Sequence, residues 1–293
     1  MKIFLIGKNG QLGSALLTRL KKAHQVFTTD RISLDLTNLV SSEKIIEEFG
    51  PSLIINAAAY TNVDHAEFEK DLAFQVNALA PKFLSDIASK LNIPIIHFSS
   101  NYIYDGSKHE PYNEEDRPNP LSIYGETKWS GDKFIQKTPK HIILRTSWLF
   151  SLYKNNFLKK ILKLSQEKES FQVVNDIWGS PTSVNTLIDS VALIISRLNH
   201  VHSPEIFGTY HITCQGKTNW YDYSLKILSL LEEKKIKTLL KKEKVFPISS
   251  SDYYKNIIRP MNATLSSKKY CSFFNVDLPH WEDEIENTIY EMV

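Results

Sequence analysis

The chain has 293 residues, of which 42% are hydrophobic and 23% charged, which excludes a disulfide-stapled miniprotein and global disorder. At ~150 residues per domain it can form one large α/β domain or two intimate ones. A total of 35 Lys and Arg against 33 Asp and Glu leaves a net charge of +2. That supplies no field for gripping nucleic acid or an anionic membrane, so a small molecule is the expected partner.

The cysteines, Cys214 and Cys271, form no CxxC pair and the histidines no HExxH, so neither a zinc site nor a disulfide framework is expected. The opening residues hold a shorter apolar run than a signal peptide needs, and no stretch approaches the ~18 apolar residues of a membrane helix. A chain that stays in a reducing cytoplasm is expected.

The short apolar run Ile3–Ile6 ends at Gly7 and reads as a buried first strand. After Gly13, the spacing of Ala15, Leu16, Leu17 and Leu20 predicts a helix, and Val26-Phe27 a second strand. The alternation continues with a helix near Ser41–Phe49, strand Leu53–Asn56, helix Phe68–Asn92, strand Ile95–Ser99, helix Leu121–Gln136 and strand Ile142–Arg145. This pattern predicts a Rossmann-type, doubly wound parallel sheet with helices on both faces. Beyond residue 150 the rhythm loosens, with helices predicted over Phe157–Glu167, Thr186–Leu198 and Trp220–Leu231. Residues 1–150 are expected to form the dinucleotide-binding domain. Residues 151–293 are expected to form mainly a smaller substrate-binding lobe, with some segments returning to the first domain. The basic run Lys234, Lys235, Lys237, Lys241, Lys242 and Lys244 reads as a solvated face, because no aromatic stacking pattern accompanies it.

Only ten glycines occur, yet Gly7, Gly10 and Gly13 fall at three-residue intervals between the first strand and helix. A turn without side chains lets backbone N–H groups and the helix N-terminus approach a pyrophosphate, so a dinucleotide is expected there, with Gln11 and Leu12 in the turn. Asp30, at the end of the second strand, is placed to accept from ribose hydroxyls, whereas Arg31 could hold a 2′-phosphate. The pair leaves NADH and NADPH both open. Asp35-Leu36 and Asn56-Ala57-Ala58 follow at strand ends, where small residues let the backbone lie against a nucleotide. Tyr124 and Lys128 stand at i and i+4 on one helix face, with Asn119-Pro120 as the expected cap and first-turn pair. A neighbouring ammonium favours the phenolate and is expected to lower the phenol pKa from ~10, making Tyr124 a proton donor. The strand ending in Ser99-Ser100 brings a hydroxyl to the same edge.

These residues resemble the dTDP-4-dehydrorhamnose reductase family of the extended short-chain dehydrogenase/reductase superfamily. The resemblance covers nearly the whole chain: the turn Gly7–Gly13, the run Asn56-Ala57-Ala58-Ala59-Tyr60-Thr61-Asn62-Val63-Asp64, Ser99–Gly106, Pro120–Lys128, Arg145-Thr146-Ser147-Trp148, Asn175–Thr182 and Arg259-Pro260. It implies hydride transfer from NADPH or NADH to C4 of a dTDP-4-keto-6-deoxyhexose, with Tyr124 protonating the oxygen. It further implies that Lys128 holds the nicotinamide ribose, Ser100 hydrogen-bonds the ketone, Ala59 and Tyr60 join the cofactor site, Trp148 lines the sugar pocket and Arg259 pairs with the diphosphate. Asn101, Tyr102, Asn175 and Trp178 fall in the matching substrate segments.

Two departures bear on specificity: Asn101 stands where the family usually has Asp, and the segment after Trp148 lacks the usual glycines. A reductase of another nucleotide-linked 4-keto-6-deoxyhexose is one alternative, and a non-catalytic dinucleotide-binding regulatory subunit is the alternative from another class, against which Tyr124, Lys128 and Ser100 stand. An epimerase or dehydratase on the same fold is a third, against which Asn101-Tyr102 after Ser100 stands. Some members of the resembled family share a divalent metal between subunits through glutamates of three segments. Those segments fall here at Ala15, Asn185 and Glu291, so no metal-bridged dimer is expected, and the chain is expected to be a monomer or to dimerise through another surface.

Overall fold

The computed structural model describes residues 1–29, 40–200, 203–254 and 258–292. In its first half, β1 (Lys2–Ile6), α1 (Gln11–Leu20), β2 (Gln25–Thr29), α2 (Val40–Phe49), β3 (Leu53–Asn56), α3 (Val63–Ala66), α4 (Lys70–Phe74), α5 (Ala80–Lys90), β4 (Ile95–Ser100), α6 (Ile123–Ile135) and β5 (His141–Thr146) follow one another. The second half adds β6 (Leu149–Phe150), α7 (Phe157–Glu167), β7 (Phe171–Val174), β8 (Trp178–Gly179), β9 (Thr182–Ser183), α8 (Val184–His200) and β10 (Gly208–His211). It ends with β11 (Thr218–Asn219), α9 (Trp220–Glu233), β12 (Val245–Ile248), α10 (Ser250–Tyr253), α11 (Lys268–Phe274) and α12 (Trp281–Tyr290).

Six strands form one parallel sheet in the order β2-β1-β3-β4-β5-β10. The runs of Ile, Leu and Phe in these strands are apolar on both faces because both faces are covered. Ile3, Leu5, Leu53, Ile55, Ile142 and Leu144 pack on one side with leucines of α1, the apolar face of α8, and Tyr270 and Phe274 of α11. Phe4, Ile6, Ile54 and Ile143 alternate to the other side, against Ile46, Leu84, Ile87 and Ile135 of α2, α5 and α6. Each such fully buried side chain contributes roughly 1.5–3 kcal/mol.

A separate apolar cluster unites α7, β7, α9 and α12 around Leu158, Ile161, Tyr223, Ile227 and Trp281. Short two-stranded pairings frame this second lobe: β7 with β12, β8 with β11, and β6 with β9. The chain therefore has the doubly wound α/β architecture, and α8 and β10 return from its second half to complete the sheet.

Three elements differ from the sequence expectation. The helix predicted over Phe68–Asn92 is α4 and α5 joined by a π-helical turn, Gln75–Leu79. Helix α6 is capped not by Asn119 but by Ser122, whose hydroxyl accepts from the Gly125 N–H (3.2 Å). Asn119 instead donates to Asp105 (3.0 Å). Strand β10 was not foreseen, because a four-residue Gly-Thr-Tyr-His segment has too little apolar patterning to declare a sheet edge.

Strands β2 and β3 leave β1 on opposite sides, which opens a crevice at the carboxyl ends of β1 and β3. Gly7, at φ +91°, lies on that rim so close to β3 that a Cβ would sit 2.6 Å from the Ala58 nitrogen. A Cβ on Gly13 would meet the Gly7 carbonyl oxygen at 2.0 Å. Backbone rather than a flexible side chain is in the way, so Gly13→Ala must push α1 off the turn. Such overpacking is expected to cost about 2 kcal/mol in denaturant unfolding and to weaken dinucleotide binding in a fluorescence titration. An unchanged unfolding midpoint would contradict this packing.

Candidate active site

The crevice floor is built from strand ends. The Ala57 N–H donates to the Ile6 carbonyl (3.0 Å), and the Ala58 N–H to the buried Asn56 Oδ1 (3.1 Å). The π-helical turn supplies Asn77, which accepts from the Tyr60 N–H (2.9 Å), donates back to the Tyr60 carbonyl (3.0 Å) and reaches Thr127 of α6 (3.2 Å). One amide thereby fixes the run Ala57–Tyr60 relative to the helix that carries Tyr124, a use of π-helical geometry common at functional sites. The Tyr60 hydroxyl donates to Glu69. Gly10, at the N-cap of α1, provides no side-chain cap. The helix N-terminus thus faces the crevice with backbone N–H groups, and side-chain-free Gly7 and Gly13 let the turn pack directly against the end of β3 and the start of α1. Gln11, Leu12 and Gly13 form the first turn of α1 behind it. Asp30, Arg31, Asp35 and Leu36 lie outside the described residues.

At the end of β4, Ser100 is the N-cap of a 3₁₀ turn, Asn101–Ile103, and accepts from the Tyr102 N–H (3.2 Å). Tyr124 is half-buried opposite it. Its phenol is pushed up to about 12, chiefly because burial disfavours the phenolate. A hydrogen bond from the Ser100 side chain pulls it down, and Tyr102 and Asp132 push it up. The expected lowering by Lys128 is not found: burial sets the direction, and the one downward pull comes from Ser100.

Lys128 is itself buried, its Nζ donating to the Phe98 carbonyl (2.6 Å). Burial pulls its pKa down to about 8, against a smaller upward pull from Asp132. Tyr124, Lys128 and Asp132 form a ladder at i, i+4 and i+8 along one face of α6. Asp132 is paired with Arg145 of β5 (3.0 Å) and stands 3.9 Å from His97, which its burial and the charge of Lys128 keep neutral.

Tyr102 joins this group to the other lobe. Its ring meets Tyr124 edge-on, with centroids 5.5 Å apart, and its hydroxyl accepts from Arg259 (3.0 Å). Arg259 also pairs with Asp64 and lies over the Tyr254 ring (4.1 Å), while its buried Nε has no hydrogen-bond partner. Arg259, Tyr254, Trp220, Phe157 and several lysines line a cavity of about 690 Å³ between α7 and α10. Five aromatic rings and four cations, mixed in one cleft, suit an aromatic base with anionic groups attached.

Trp148 occupies an αL backbone conformation, φ 47°, which is costly for a large side chain and marks a site over-determined by its surroundings. Its indole stacks on Trp220 at 3.5 Å and lies against Gly179, where a Cβ would come within 2.4 Å of the ring. The structure thus gathers Ser100, Tyr102, Tyr124, Lys128 and Arg259 into one connected site.

Asn101 is buried, but its amide donates to the Ala263 carbonyl (2.9 Å) and serves to tie the end of β4 to that segment. Trp178 is partly exposed in β8 beside Lys217. Asn175 is exposed at the end of β7, where its N–H donates to the Ile248 carbonyl (3.2 Å). Asp64, Asn77, Tyr254 and Trp220 were not singled out from sequence. The only signal for Asp64 was its place in the run that begins at Asn56.

The whole chain, residues 1–293, matches the family model described as RmlD substrate binding domain. A dTDP-4-dehydrorhamnose reductase of Sinorhizobium fredii is 34% identical over 294 aligned residues, spanning 100% of this chain and 98% of the relative. The chain belongs to the dTDP-4-dehydrorhamnose reductase family. A crystal structure of a dTDP-4-dehydrorhamnose reductase from Clostridium acetobutylicum superposes with a TM-score of 0.90 at 34% identity, covering 100% of this chain and 99% of that one. A Bacillus anthracis reductase of the family, solved in complex with NADP, superposes with a TM-score of 0.89 at 31% identity over 99% of both chains. No described helix is long and apolar enough to cross a membrane.

The displaced lysine gives a pH signature. Its folded-state pKa of about 8 lies below its usual 10.5, so between those values the unfolded chain binds the extra proton. This group's contribution to stability therefore rises with pH from about 8 to 10.5. Urea unfolding between pH 7.5 and 9.5 is expected to show that positive slope in the wild type and to lose it in Lys128→Met. Equal slopes would mean that Lys128 titrates normally.

Proposed function

We propose that this chain is an NAD(P)H-dependent reductase that converts dTDP-4-dehydro-L-rhamnose to dTDP-L-rhamnose. The observation that carries the reading is the joining of Ser100, Tyr124 and Lys128, at the rim of the glycine turn, to Tyr102 and Arg259 at the mouth of the base-sized cavity. In this reading the first 150 residues hold the dinucleotide and the later segments mainly the nucleotide sugar.

The bound cofactor supplies the hydride that C4 accepts. The rest is the work of this chain. The Ser100 hydroxyl donates to the C4 oxygen and fixes its position, and Tyr124 Oη gives that oxygen its proton. A phenol held near 12 is fully protonated at neutral pH, as a donor must be. The Lys128 ammonium, which would also hold the nicotinamide ribose, favours the phenolate left behind on Tyr124. Arg259 exchanges its Asp64 partner for the diphosphate, and its unpartnered Nε provides a further donor for the same oxygens. Trp148, clamped between Trp220 and Gly179, forms a rigid wall for the deoxysugar.

Tyr124→Phe removes the proton donor and keeps the ring against Tyr102. Turnover, measured as NADPH oxidation with the 4-keto sugar and by identification of the product, is expected to fall on the order of 10²-fold or more with dinucleotide affinity retained. Wild-type turnover in that variant would remove Tyr124 from the proton path.

The same reading includes assembly without a bridging metal. Ala15 has no ligand atom, Asn185 offers only a neutral amide and Glu291 is the sole carboxylate of the three, a poor set for a hard divalent cation. Among the described residues no group of three or more His, Cys, Asp or Glu side chains could hold a metal ion. EDTA is expected to leave both activity and mass by light scattering unchanged. A dimer that dissociates with EDTA and returns with Mg²⁺ would sink this assignment.

A further inference from the structure

We propose that Asn156 is a positioning residue that couples the dinucleotide turn to the nucleotide-sugar cavity, so that filling one tightens the other. The inference rests on the function proposed above and goes beyond it in naming the link between the two binding steps.

Asn156 is the N-cap of α7, where its Oδ1 accepts from the Lys159 N–H (3.1 Å). Its Nδ2 donates to the Ser151 carbonyl (2.7 Å) and, far along the sequence, to Gln11 Oε1 (2.9 Å). Capping alone does not require asparagine, since serine or aspartate serves equally well. Asparagine adds an amide with two N–H donors, and here one goes to the loop after β6 and the other to α1. Gln11 is the first residue of α1, directly after the Gly10 cap. Asn156 and its neighbours Asn155 and Phe157 line the 690 Å³ cavity. A single side chain therefore touches the helix start that faces an anion, the loop after Trp148, and the wall of the second pocket.

A pyrophosphate resting on the first turn of α1 immobilises Gln11, Gln11 holds Asn156, and Asn156 holds the start of α7 in place. The ordering needed by the second ligand is then already present when it arrives. Linkage requires the effect to be the same in both directions.

Isothermal titration of thymidine diphosphate into the protein with and without saturating NADP⁺ tests this. The wild type is expected to bind thymidine diphosphate about fivefold or more tightly when NADP⁺ is present, and the reverse titration to return the same ratio. Asn156→Ser keeps the cap acceptor and loses both donors, whereas Gln11→Leu leaves the cap intact and removes the acceptor. Each is expected to bring the ratio to about one, and the double variant to add nothing further. If Asn156 served only to start α7, Asn156→Ser would keep both the melting temperature and the ratio. That result overturns the proposal, as does a wild-type ratio of one. Failure of thymidine diphosphate to bind the wild type in either state would instead overturn the nucleotide-sugar reading on which it rests.

Discussion

A guanidinium buried beneath the carboxyl edge of the sheet sets the position of nearly everything above it. Arg145 is the largest fully buried side chain among the described residues, and it is held by Asp132 of α6 and by the Tyr104 hydroxyl (3.0 Å). Two charges removed from water are tolerated only with good geometry and further hydrogen bonds, and removing one partner of such a pair typically costs about 3–5 kcal/mol. Those further bonds are present: the Tyr104 hydroxyl also meets His211 of β10 (3.0 Å), whose other ring nitrogen faces the Tyr112 carbonyl (3.1 Å). On the far side, His97 of β4 bonds Asn56 of β3 (3.1 Å), and Asn56 accepts from the Ala58 N–H in the crevice floor. Hydrogen bonds thus reference β5, β10 and α6 to one another through Arg145, and β4 to β3 through His97, which stands 3.9 Å from Asp132. Helix α6 has one permitted rotation, the one that pairs Asp132 with Arg145. Tyr124 and Lys128, two turns and one turn earlier on the same face, are brought to the crevice by that choice.

The same network determines the chemistry available to Lys128. An ammonium with no carboxylate directly bonded to it, buried among backbone carbonyls, loses much of its proton affinity. Asp132 limits that loss from one turn away, and neutral His97 adds no competing charge. Tyr124 is displaced the opposite way for the same reason, because burial disfavours the charged form of either group and one is an acid where the other is a base. Both groups are therefore held in the protonation state from which reduction of a ketone begins, a protonated phenol and a largely protonated amine at neutral pH.

Local chemistry was legible in the sequence wherever it is carried by neighbours along the chain. The glycine turn, the alternation of strands and helices to β5, and the pairing of Tyr124 with Lys128 all follow from spacing and residue type. Contacts between distant residues were not. Asp132 was not singled out, Arg145 stood only at the end of a predicted strand and in a family motif, and nothing in their local pattern shows that one faces the other in the interior. His211 lies in a strand whose sequence is too polar to announce itself, and its burial is made possible by Tyr104 and Tyr112. Asn101 was read as a substrate contact because of its place in a motif, which does not show that its amide also ties the end of β4 to Ala263. The lowering of the Tyr124 pKa was inferred from the proximity of Lys128 along the helix, and the outcome depends instead on depth of burial, which spacing does not encode.

Arg259 shows how the two lobes are held ready without being locked. Its charge is paired with Asp64 of the first half and stacked on Tyr254 of the second, so it bridges the cleft with side chains rather than with backbone. Asp64 is about half exposed, so its pairing is screened by water and weak in comparison with the buried Asp132 pair. In the proposed reading a diphosphate offers Arg259 more acceptor oxygens than one carboxylate does, and exchange would release Asp64 to solvent at small cost. Tyr102 remains bonded on one side and in edge contact with Tyr124 on the other. Tyr102 thereby connects Arg259 to Tyr124 through a single aromatic ring. In that reading the strong buried pair fixes the reacting helix and the weak exposed pair yields to substrate, so rigidity and exchange are assigned to different ions.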